Sequence, residues 1–240
     1  MNAMPLVLVP GLMCDHTVWE PLLPFMGASQ TCQMIDHQSA NSLSRMAEQL
    51  LEVSPPKFVM AGHSMGGRVA LEVLRMAPDR VAGVALMDTG YLAKLDGAAG
   101  ELEVSKRLVL LEIAQSKGIR AMAQEWVKGM VHPSRLADKA LIETILKMFE
   151  TKNSDIFARQ LLALIFRKDA TDVLKSINVP TLILCGRQDA WSPPSQHEEM
   201  LQYVPHAAMS VIEDAGHMST MEKPQAVAEA MNQWLSVIQP

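Results

Sequence analysis

Short apolar runs alternate with stretches of helical periodicity along the first ninety residues. Leu43 to Val53 and Arg68 to Met76 repeat apolar residues at helical spacing, and Ser42 is placed to cap the first of them. The predicted strands are Leu6 to Val9, Thr31 to Ile35, Lys57 to Ala61 and Val81 to Met87. This order of strand, turn and helix is typical of a mostly parallel sheet with crossover helices.

Helical patterns alone fill the segment from Tyr91 to about Lys175. About four helices follow one another there, separated by glycine or by pairs of turn-forming residues. A segment of roughly 80 residues is too long for an ordinary connection between two elements. We therefore expect residues 91–175 to form an all-helical insertion.

The strand signal returns after the insertion, at Val179 to Cys185 and at Ala208 to Ile212. An amphipathic helix from Pro224 to Val237 follows, and its proline suits a first helical turn. The whole pattern predicts an α/β fold, with a mostly parallel sheet of about six strands flanked by helices. Residues 1–90 and 176–240 are expected to form this core.

Composition places the chain among ordinary globular proteins and excludes several partners. Hydrophobic residues make up 49% of the 240 residues and charged residues 20%, which excludes a disordered or fibrous chain. The net charge of −5 gives no overall basic field, so nucleic acid is not an expected partner. No run of about 18 apolar residues occurs, so no membrane span is predicted.

The cysteines and histidines predict neither a disulfide framework nor a metal site. Cys14, Cys32 and Cys185 are scattered without C-x-x-C spacing, and the histidines form no pattern of metal ligands. Scattered thiols fit a reducing compartment. The apolar run Leu6 to Pro10 is too short for a secretory signal and lacks its basic region. We therefore expect a cytoplasmic protein with no bound metal.

A G-x-S-x-G pattern occurs at Gly62 to Gly66. It directly follows a strand pattern and directly precedes a helical one. A tight turn between strand and helix forces its central residue into a strained conformation, which small neighbours make sterically possible. The pattern predicts that Ser64 projects outward at the helix N-terminus as a nucleophile. A serine that merely caps the helix is the alternative.

A serine hydroxyl needs a base and an orienting carboxylate before it acts as a nucleophile. Both follow late in the chain, Asp189 after one predicted strand and His217 after the next. Because the carboxyl ends of parallel strands share one edge of a sheet, we expect Ser64, Asp189 and His217 to converge there. The order serine, aspartate, histidine is the one found in one particular fold.

Two further aspartates lie near this predicted edge. Asp88 follows the predicted strand Val81 to Met87 and is an alternative to Asp189 as the acid. Asp214 precedes His217 by three residues, and shaping the loop of that histidine is its simpler interpretation. The choice between the acids depends on which carboxylate contacts the imidazole.

On these residues the chain resembles the α/β-hydrolase superfamily, specifically the cofactor-independent serine hydrolases with a helical cap. The resemblance runs from Leu6 to about Trp234, and the insertion matches the cap only by position and helicity. Pro10-Gly11 stands where many relatives have His-Gly, so a histidine contact is absent while the backbone geometry is retained. The segments that carry the resemblance are Val7 to Leu12 (oxyanion loop), Gly62 to Gly67 (nucleophile elbow), Gly186 to Asp189 (acid turn) and Gly216-His217 (base loop).

The resemblance implies acyl transfer to water without a cofactor. In this mechanism Ser64 attacks a carbonyl, His217 takes its proton and later activates water, and Asp189 fixes the imidazole. The backbone N–H groups of Leu12 and Met65 would form the oxyanion hole.

Several reactions are open to such a protein. The expected function is hydrolysis of a small-molecule carboxylic ester or thioester with a small to medium acyl group. Carbon-carbon bond hydrolases, lactonases and perhydrolases use the same scaffold and are alternatives. A ligand sensor with slow or single turnover is another, because the loop from Gly11 to Trp19 resembles that of signalling relatives.

Charge divides the chain at the boundaries of the insertion. Residues 91–175 contain 14 Lys and Arg against 11 Asp and Glu, whereas the rest of the chain contains 7 against 15. We hypothesise that a basic cap over an acidic core steers an anionic or carrier-linked substrate toward the site. Apolar residues of the cap offer a lining for an acyl or alkyl chain, and for any single one of them packing between cap helices is the simpler interpretation. They are Leu108, Leu111, Met122, Trp126, Met130, Leu146, Met148, Phe149, Leu161, Leu164 and Phe166.

Overall fold

A six-stranded sheet forms the centre of the protein, in a computed structural model that describes residues 4–28 and 30–238. Its strands are β1 (Leu6–Val9), β2 (Cys32–Met34), β3 (Phe58–His63), β4 (Val81–Met87), β5 (Thr181–Gly186) and β6 (Ala208–Ile212). Their order across the sheet is β2-β1-β3-β4-β5-β6, and every neighbouring pair is parallel. The carboxyl ends of the strands therefore lie at one edge.

Helices connect the strands. They are α1 (Leu43–Val53), α2 (Met65–Met76), α3 (Gly97–Lys117), α4 (Ile119–Trp126), α5 (Lys139–Glu150), α6 (Ser154–Ile165), α7 (Thr171–Ser176), α8 (Pro194–Tyr203), α9 (Ser219–Glu222) and α10 (Pro224–Ile238). Of these, α2 packs on β3 and β4, α8 on β5, and α10 on β4, β5 and β6. None of the helices in the described residues is long and apolar enough to cross a membrane. The architecture confirms the predicted α/β fold class.

Burial explains the sequence patterns of the strands. β1, β3 and β5 are buried at every residue, because strands inside a parallel sheet are covered on both faces. β2 and β6 are the two edge strands and are only partly buried. The continuous apolar runs of the sequence therefore correspond to central strands.

A long helical excursion separates two neighbouring strands. The chain leaves the sheet after Met87 and returns at Thr181, where β5 pairs directly with β4. Helices α3 to α7 lie in this interval, with α3 against α4 and α6, and α4 against α5. Asp138 and Asn153 begin α5 and α6, because their side chains accept hydrogen bonds from the first turns of these helices.

Several elements differ from the sequence pattern. The helix predicted from Arg68 begins earlier, at Met65, directly after the turn that contains Ser64. The sequence pattern does not predict α8, whose apolar residues lack a clear helical stripe, or α9, which has only four residues. Two short 3-10 helices, His16–Val18 and Glu20–Phe25, also have no sequence signal.

We expect the substitution Leu8→Ala to lower the free energy of unfolding by about 2–5 kcal/mol, because Leu8 is fully buried in β1. Leu102→Ala is the matched control, since Leu102 is 55% exposed on α3, and it should change the free energy by less than about 0.5 kcal/mol. Urea denaturation followed by circular dichroism measures both. Equal effects of the two substitutions would contradict this packing.

Candidate active site

Ser64 lies in the tight turn between β3 and α2. Its backbone angles are φ 57° and ψ −118°, in a region that L residues rarely adopt. The Ser64 N–H donates a hydrogen bond of 2.9 Å to the carbonyl oxygen of Met87. A turn of this strain holds the serine side chain outward at the start of the helix, as the sequence pattern predicts.

Close backbone contacts require glycine around this turn. A Cβ atom on Gly66 would lie 2.1 Å from the carbonyl oxygen of Val9, and a Cβ atom on Gly62 would lie 2.4 Å from the carbonyl oxygen of Gly66. Both distances are far below van der Waals contact, so no side chain fits. Gly11 also approaches closely, since a Cβ atom there would lie 3.1 Å from Ser64 Cβ.

A chain of hydrogen bonds joins Ser64, His217 and Asp189. His217 Nε2 lies 2.8 Å from Ser64 Oγ, and His217 Nδ1 lies 2.7 Å from Asp189 Oδ2. The other oxygen of Asp189 accepts hydrogen bonds from the N–H groups of Trp191 and Ser192, at 2.8 and 2.9 Å. The structure thus brings together the three side chains singled out in the sequence. A neutral imidazole in this position can accept the serine proton.

The buried contact between His217 and Asp189 changes the pKa of both groups. Burial by itself would lower the pKa of His217, but the charge and hydrogen bond of Asp189 outweigh it and raise this pKa above the ordinary value of 6.5. Burial would likewise raise the pKa of Asp189, but the charge of His217 and the hydrogen bonds to the carboxylate lower it. Asp189 is therefore ionised and stabilises a protonated His217.

Asp88 lies at the same edge of the sheet but binds other groups. Its carboxyl group accepts hydrogen bonds from the Gly186 N–H, at 2.8 Å, and from the Ser219 hydroxyl. Burial and the nearby charge of Asp189 raise the pKa of Asp88 well above its usual range. Of the two candidate acids, Asp189 is the one that contacts His217, and Asp88 braces the loops around it.

Leu12 and Met65, the predicted oxyanion-hole residues, both line the cavity that contains Ser64. The loop after Leu12 is held by the helical excursion, because the Met13 N–H donates to Gln160 Oε1 on α6 at 2.8 Å. Gln160 is fully buried, and Met13 has a positive φ of 62°. Nothing in the local sequence points to Gln160, since 147 positions separate the two partners.

Glu222 connects the loop of His217 with the helical excursion. Its two carboxylate oxygens accept hydrogen bonds from the N–H groups of Gly216 and His132, at 2.9 and 2.7 Å. The Met130 carbonyl adds a second connection by accepting from the His217 N–H at 2.7 Å. Burial raises the pKa of Glu222. The sequence pattern has no signal for this residue, which lies within the unpredicted helix α9.

Three further residues near these loops have structural contacts. Trp19 is fully buried as a packing residue. Asp15 begins a 3-10 helix, where its carboxylate accepts the Thr17 N–H at 2.9 Å. Asp214 lies in the loop before His217 with a positive φ of 53°, and its side chain is 71% exposed and 3.3 Å from Lys223 Nζ.

A cavity of about 590 Å³ lies beside Ser64 and His217, and both the sheet region and the helical excursion line it. Four of the apolar residues predicted to line it do so, namely Trp126, Met130, Leu161 and Leu164. The other seven do not line it, and four of them are buried away from the cavity, as the alternative of packing predicts; the seven are Leu108, Leu111, Met122, Leu146, Met148, Phe149 and Phe166. Leu108 and Phe166 are 50% and 77% exposed, so the helical faces that carry them point to solvent.

Comparison with known proteins gives a family match and distant relatives. The model of the alpha/beta hydrolase family matches residues 6–230. A Pseudomonas putida protein named dihydrolipoyllysine-residue acetyltransferase component of acetoin cleaving system is 29% identical over 95% of this chain. The chain spans only 62% of that relative's length. A pimeloyl-[acyl-carrier protein] methyl ester esterase of Nitrosomonas europaea is 22% identical, over 93% of this chain and 92% of its own.

Solved structures agree with this match. A thermophilic esterase from Thermogutta terrifontis, solved with malate bound, is 29% identical and superposes with a TM-score of 0.83. The alignment covers 100% of this chain and 92% of the esterase. Similarity of this extent places the whole described fold, including the helical excursion, within a known architecture.

We expect Gly66→Ala to destabilise the protein by about 1–3 kcal/mol or more, because its methyl group would overlap the Val9 carbonyl. Gly129→Ala is the matched control, since a Cβ atom there meets its nearest neighbour at an ordinary 3.5 Å. Thermal unfolding followed by circular dichroism measures both. A Gly66→Ala protein as stable as the Gly129→Ala protein would refute the tight packing of this turn.

Proposed function

The chain belongs to the alpha/beta hydrolase family and is a hydrolase acting on ester bonds, and from this premise we propose that it cleaves carboxylic esters through a Ser64–His217–Asp189 catalytic triad. The observation that carries the proposal is the unbroken hydrogen-bond chain, with 2.8 Å between Ser64 Oγ and His217 Nε2 and 2.7 Å between His217 Nδ1 and Asp189 Oδ2. Nucleophile and base in direct contact, with the base oriented by a third group, is the arrangement that serine catalysis needs.

The proposed reaction has two halves. Ser64 Oγ attacks the ester carbonyl while His217 Nε2 accepts the hydroxyl proton, and the imidazolium then gives this proton to the departing alcohol. An acyl group is now bound to Ser64. In the second half His217 takes a proton from water, whose oxygen attacks the acyl-enzyme. The bond between the acyl carbon and Ser64 Oγ then breaks, the imidazolium returns its proton to Ser64 Oγ, and the acid is released. These residues account for every proton transfer, so the proposal includes no cofactor.

Two electrostatic features support the reaction. The raised pKa of His217 means that Asp189 stabilises the imidazolium that forms in each half. We assign the oxyanion hole to the N–H groups of Leu12 and Met65, which line the cavity on the two sides of the nucleophile turn. Backbone donors held by the elbow packing need little reorganisation when charge develops on the carbonyl oxygen.

We assign residues 91–175 to a helical cap and residues 1–90 and 176–240 to the catalytic core. Support comes from the cavity, because the cap residues Trp126 and Leu161 line it together with Ser64 of the core. A cap in this position can exclude water from the acyl chain and gate its entry. A cytoplasmic location stays a prediction from the cysteine pattern.

The cavity supports an ester of a small to medium acyl chain as the substrate. Its volume of about 590 Å³ lies within the range of small-molecule sites. Aromatic and aliphatic side chains near Ser64 suit an acyl or alkyl group, and the basic side chains of the same cavity suit an anionic one. The relatives include an esterase of a carrier-linked methyl ester and an esterase solved with malate bound, which fits an anionic or carrier-linked substrate.

We expect Ser64→Ala to abolish fluorophosphonate labelling and to lower the turnover of p-nitrophenyl butyrate by about 10⁴-fold or more, because no nucleophile is left. Ser105→Ala is the matched control, since Ser105 is exposed on α3, and it should retain both properties. Gel fluorescence and steady-state kinetics measure the two effects.

Each alternative outcome has a distinct meaning. Labelling of both Ser64→Ala and the wild type, or of neither, would refute the assignment of the nucleophile. A single stoichiometric burst of p-nitrophenol from the wild type, with no further turnover, would favour a ligand sensor over a hydrolase.

We expect kcat/KM of the wild type to rise with pH through a midpoint above about 6.5, the ordinary histidine value, because only neutral His217 accepts the serine proton and its pKa is raised. Asp189→Asn removes the charge that raises this pKa and leaves burial, which lowers it, so the midpoint should move to lower pH. The rate should also fall by about 10⁴-fold.

Asp214→Asn is the control for this pH profile, because Asp214 is exposed in the loop that precedes His217. Stopped-flow hydrolysis of an activated ester between about pH 5 and 9 records both profiles. A midpoint that stays in place in Asp189→Asn, or that moves equally in Asp214→Asn, would contradict the proposed role of Asp189.

A further inference from the structure

Four basic side chains line the cavity that contains Ser64, and their charges exceed those of the acidic groups near them. They are Arg68 on α2, Lys106 and Arg107 on α3, and Arg167 after α6. Only one acidic side chain of the cavity, Glu103, forms ion pairs with this group among the described residues. The cap and the core thus contribute positive charge to the same cavity.

Glu103 is already occupied by two of these arginines. Both oxygens of its carboxylate accept hydrogen bonds from Arg167, one of them at 3.0 Å from Nη2, and one oxygen also accepts from Arg107. Burial opposes ionisation of Glu103, but the hydrogen bond from Arg167 and the charge of Arg107 outweigh it and lower its pKa to about 2. This one negative charge is therefore shared by two guanidinium groups.

Arg68 has no such partner. Its Nη1 donates to the Leu92 carbonyl at 2.9 Å, and the same carbonyl accepts from Arg167 Nε at 3.1 Å. Within residues 4–28 and 30–238, no carboxylate oxygen lies within 4.0 Å of the Arg68 guanidinium. Burial and the neighbouring charges of Arg167 and Arg107 lower the pKa of Arg68 to about 9, so it still carries its charge at neutral pH.

An unpaired charge in a partly buried position costs free energy unless an anion compensates it. The other carboxyl group in the lining, Asp88, is hydrogen-bonded to Gly186 and Ser219 and does not supply that anion. The cavity therefore contains more positive than negative charge, and Arg68 is partly buried within it. A ligand that brings its own negative charge would restore the balance.

Arg68 also has a fixed position relative to the nucleophile. It lies in the first turn of α2, which begins directly after Ser64, and both residues line the cavity. A group bound to Arg68 and an ester group at Ser64 therefore share one cavity. The planar guanidinium favours a planar anion with two oxygens, which is the geometry of a carboxylate.

We propose that Arg68, with Arg107 and Arg167, forms a carboxylate subsite, and that the preferred substrates are esters that carry a free carboxylate, such as monoesters of dicarboxylic acids. This inference rests on the proposed ester hydrolysis and adds the substrate class. The carboxylate binds at the junction of cap and core while the ester group lies at Ser64, and the apolar lining contacts the carbon chain between them.

A matched pair of esters tests the subsite. Monomethyl adipate and methyl hexanoate have the same six-carbon acyl chain and differ in the terminal carboxylate, and methanol release measures the hydrolysis of each. We expect the wild type to prefer monomethyl adipate, and Arg68→Met to lower kcat/KM for this ester by about 10- to 100-fold. Its kcat/KM for methyl hexanoate should stay within about twofold, because an uncharged chain does not use the arginine.

Arg159→Met is the control for charge alone. Arg159 is exposed on α6 and does not line the cavity, but its loss changes the net charge by the same amount. Its preference for monomethyl adipate should equal that of the wild type. An equal loss of preference in both variants would overturn the subsite and favour general steering by the cap. A second pair, 6-acetoxyhexanoate and hexyl acetate, distinguishes a carboxylate on the alcohol side from one on the acyl side.

Other outcomes separate a failed subsite from a failed function. If Arg68→Met slows both esters equally, the arginine only links cap and core, and the inference is refuted. If the wild type hydrolyses methyl hexanoate through Ser64 without preferring monomethyl adipate, the proposed function stands and the subsite fails. If Arg68→Met does not fold, Arg107→Met is the second variant. The same ratio of kcat/KM for monomethyl adipate to kcat/KM for methyl hexanoate then tests the subsite.

Binding of adipate gives a measurement independent of turnover. In Ser64→Ala protein, calorimetry should detect adipate binding that weakens by about 10-fold or more when Arg68→Met is added. The Arg159→Met change should leave that affinity unaltered. Failure of adipate to bind, or equal binding with and without Arg68, would overturn the inference even if no ester tested is a substrate.

Discussion

One backbone contact determines the geometry of the site, the packing of the Val9 carbonyl against the Cα of Gly66. Because no side chain lies between β1 and the turn, Ser64 is held with a positive φ of 57° at the start of α2. The same contact positions the loop of the proposed oxyanion hole, since the residues after Val9 lead directly to Leu12. A wider gap between β1 and the turn would increase the distance between Ser64 and this loop. One interaction therefore constrains two parts of the proposed site.

The remaining groups depend on three neighbouring strands, β4, β5 and β6, whose carboxyl ends are followed by Asp88, Asp189 and His217. Asp88 bonds the end of β5 through the Gly186 N–H and the region after His217 through Ser219. Burial and the nearby charge of Asp189 raise the pKa of Asp88, and the two donors hold its carboxyl group in place. Asp88, the alternative acid in the sequence analysis, thus holds the loops around Asp189 in place.

Sequence patterns predict the residues whose position follows from local geometry. Ser64 is found through its turn, and Asp189 and His217 through the ends of apolar strands. The sequence does not predict Gln160 and Glu222, because each binds a segment far away in the chain and no local sequence pattern marks it. The apolar lining was predicted only in part for a related reason: periodicity identifies an apolar helix face but does not tell whether it meets a cavity, another helix or solvent.

The effect of a basic side chain of the proposed cap on a bound substrate depends on whether a carboxylate already pairs with it, more than on the net charge of the cap. Arg120 illustrates the difference, because it lies on the outer part of the cap and is already paired with Glu143 and Glu150 at 2.6 and 2.8 Å. Such exposed pairs are screened by solvent and affect a bound substrate little. In the proposed subsite a substrate meets the charge of the cavity, where Arg68 has no carboxylate partner within the part of the chain that the structure describes and the surroundings are less polar than water. Shielded charges interact more strongly, so an unpaired arginine there selects substrates more effectively than a larger excess on the surface.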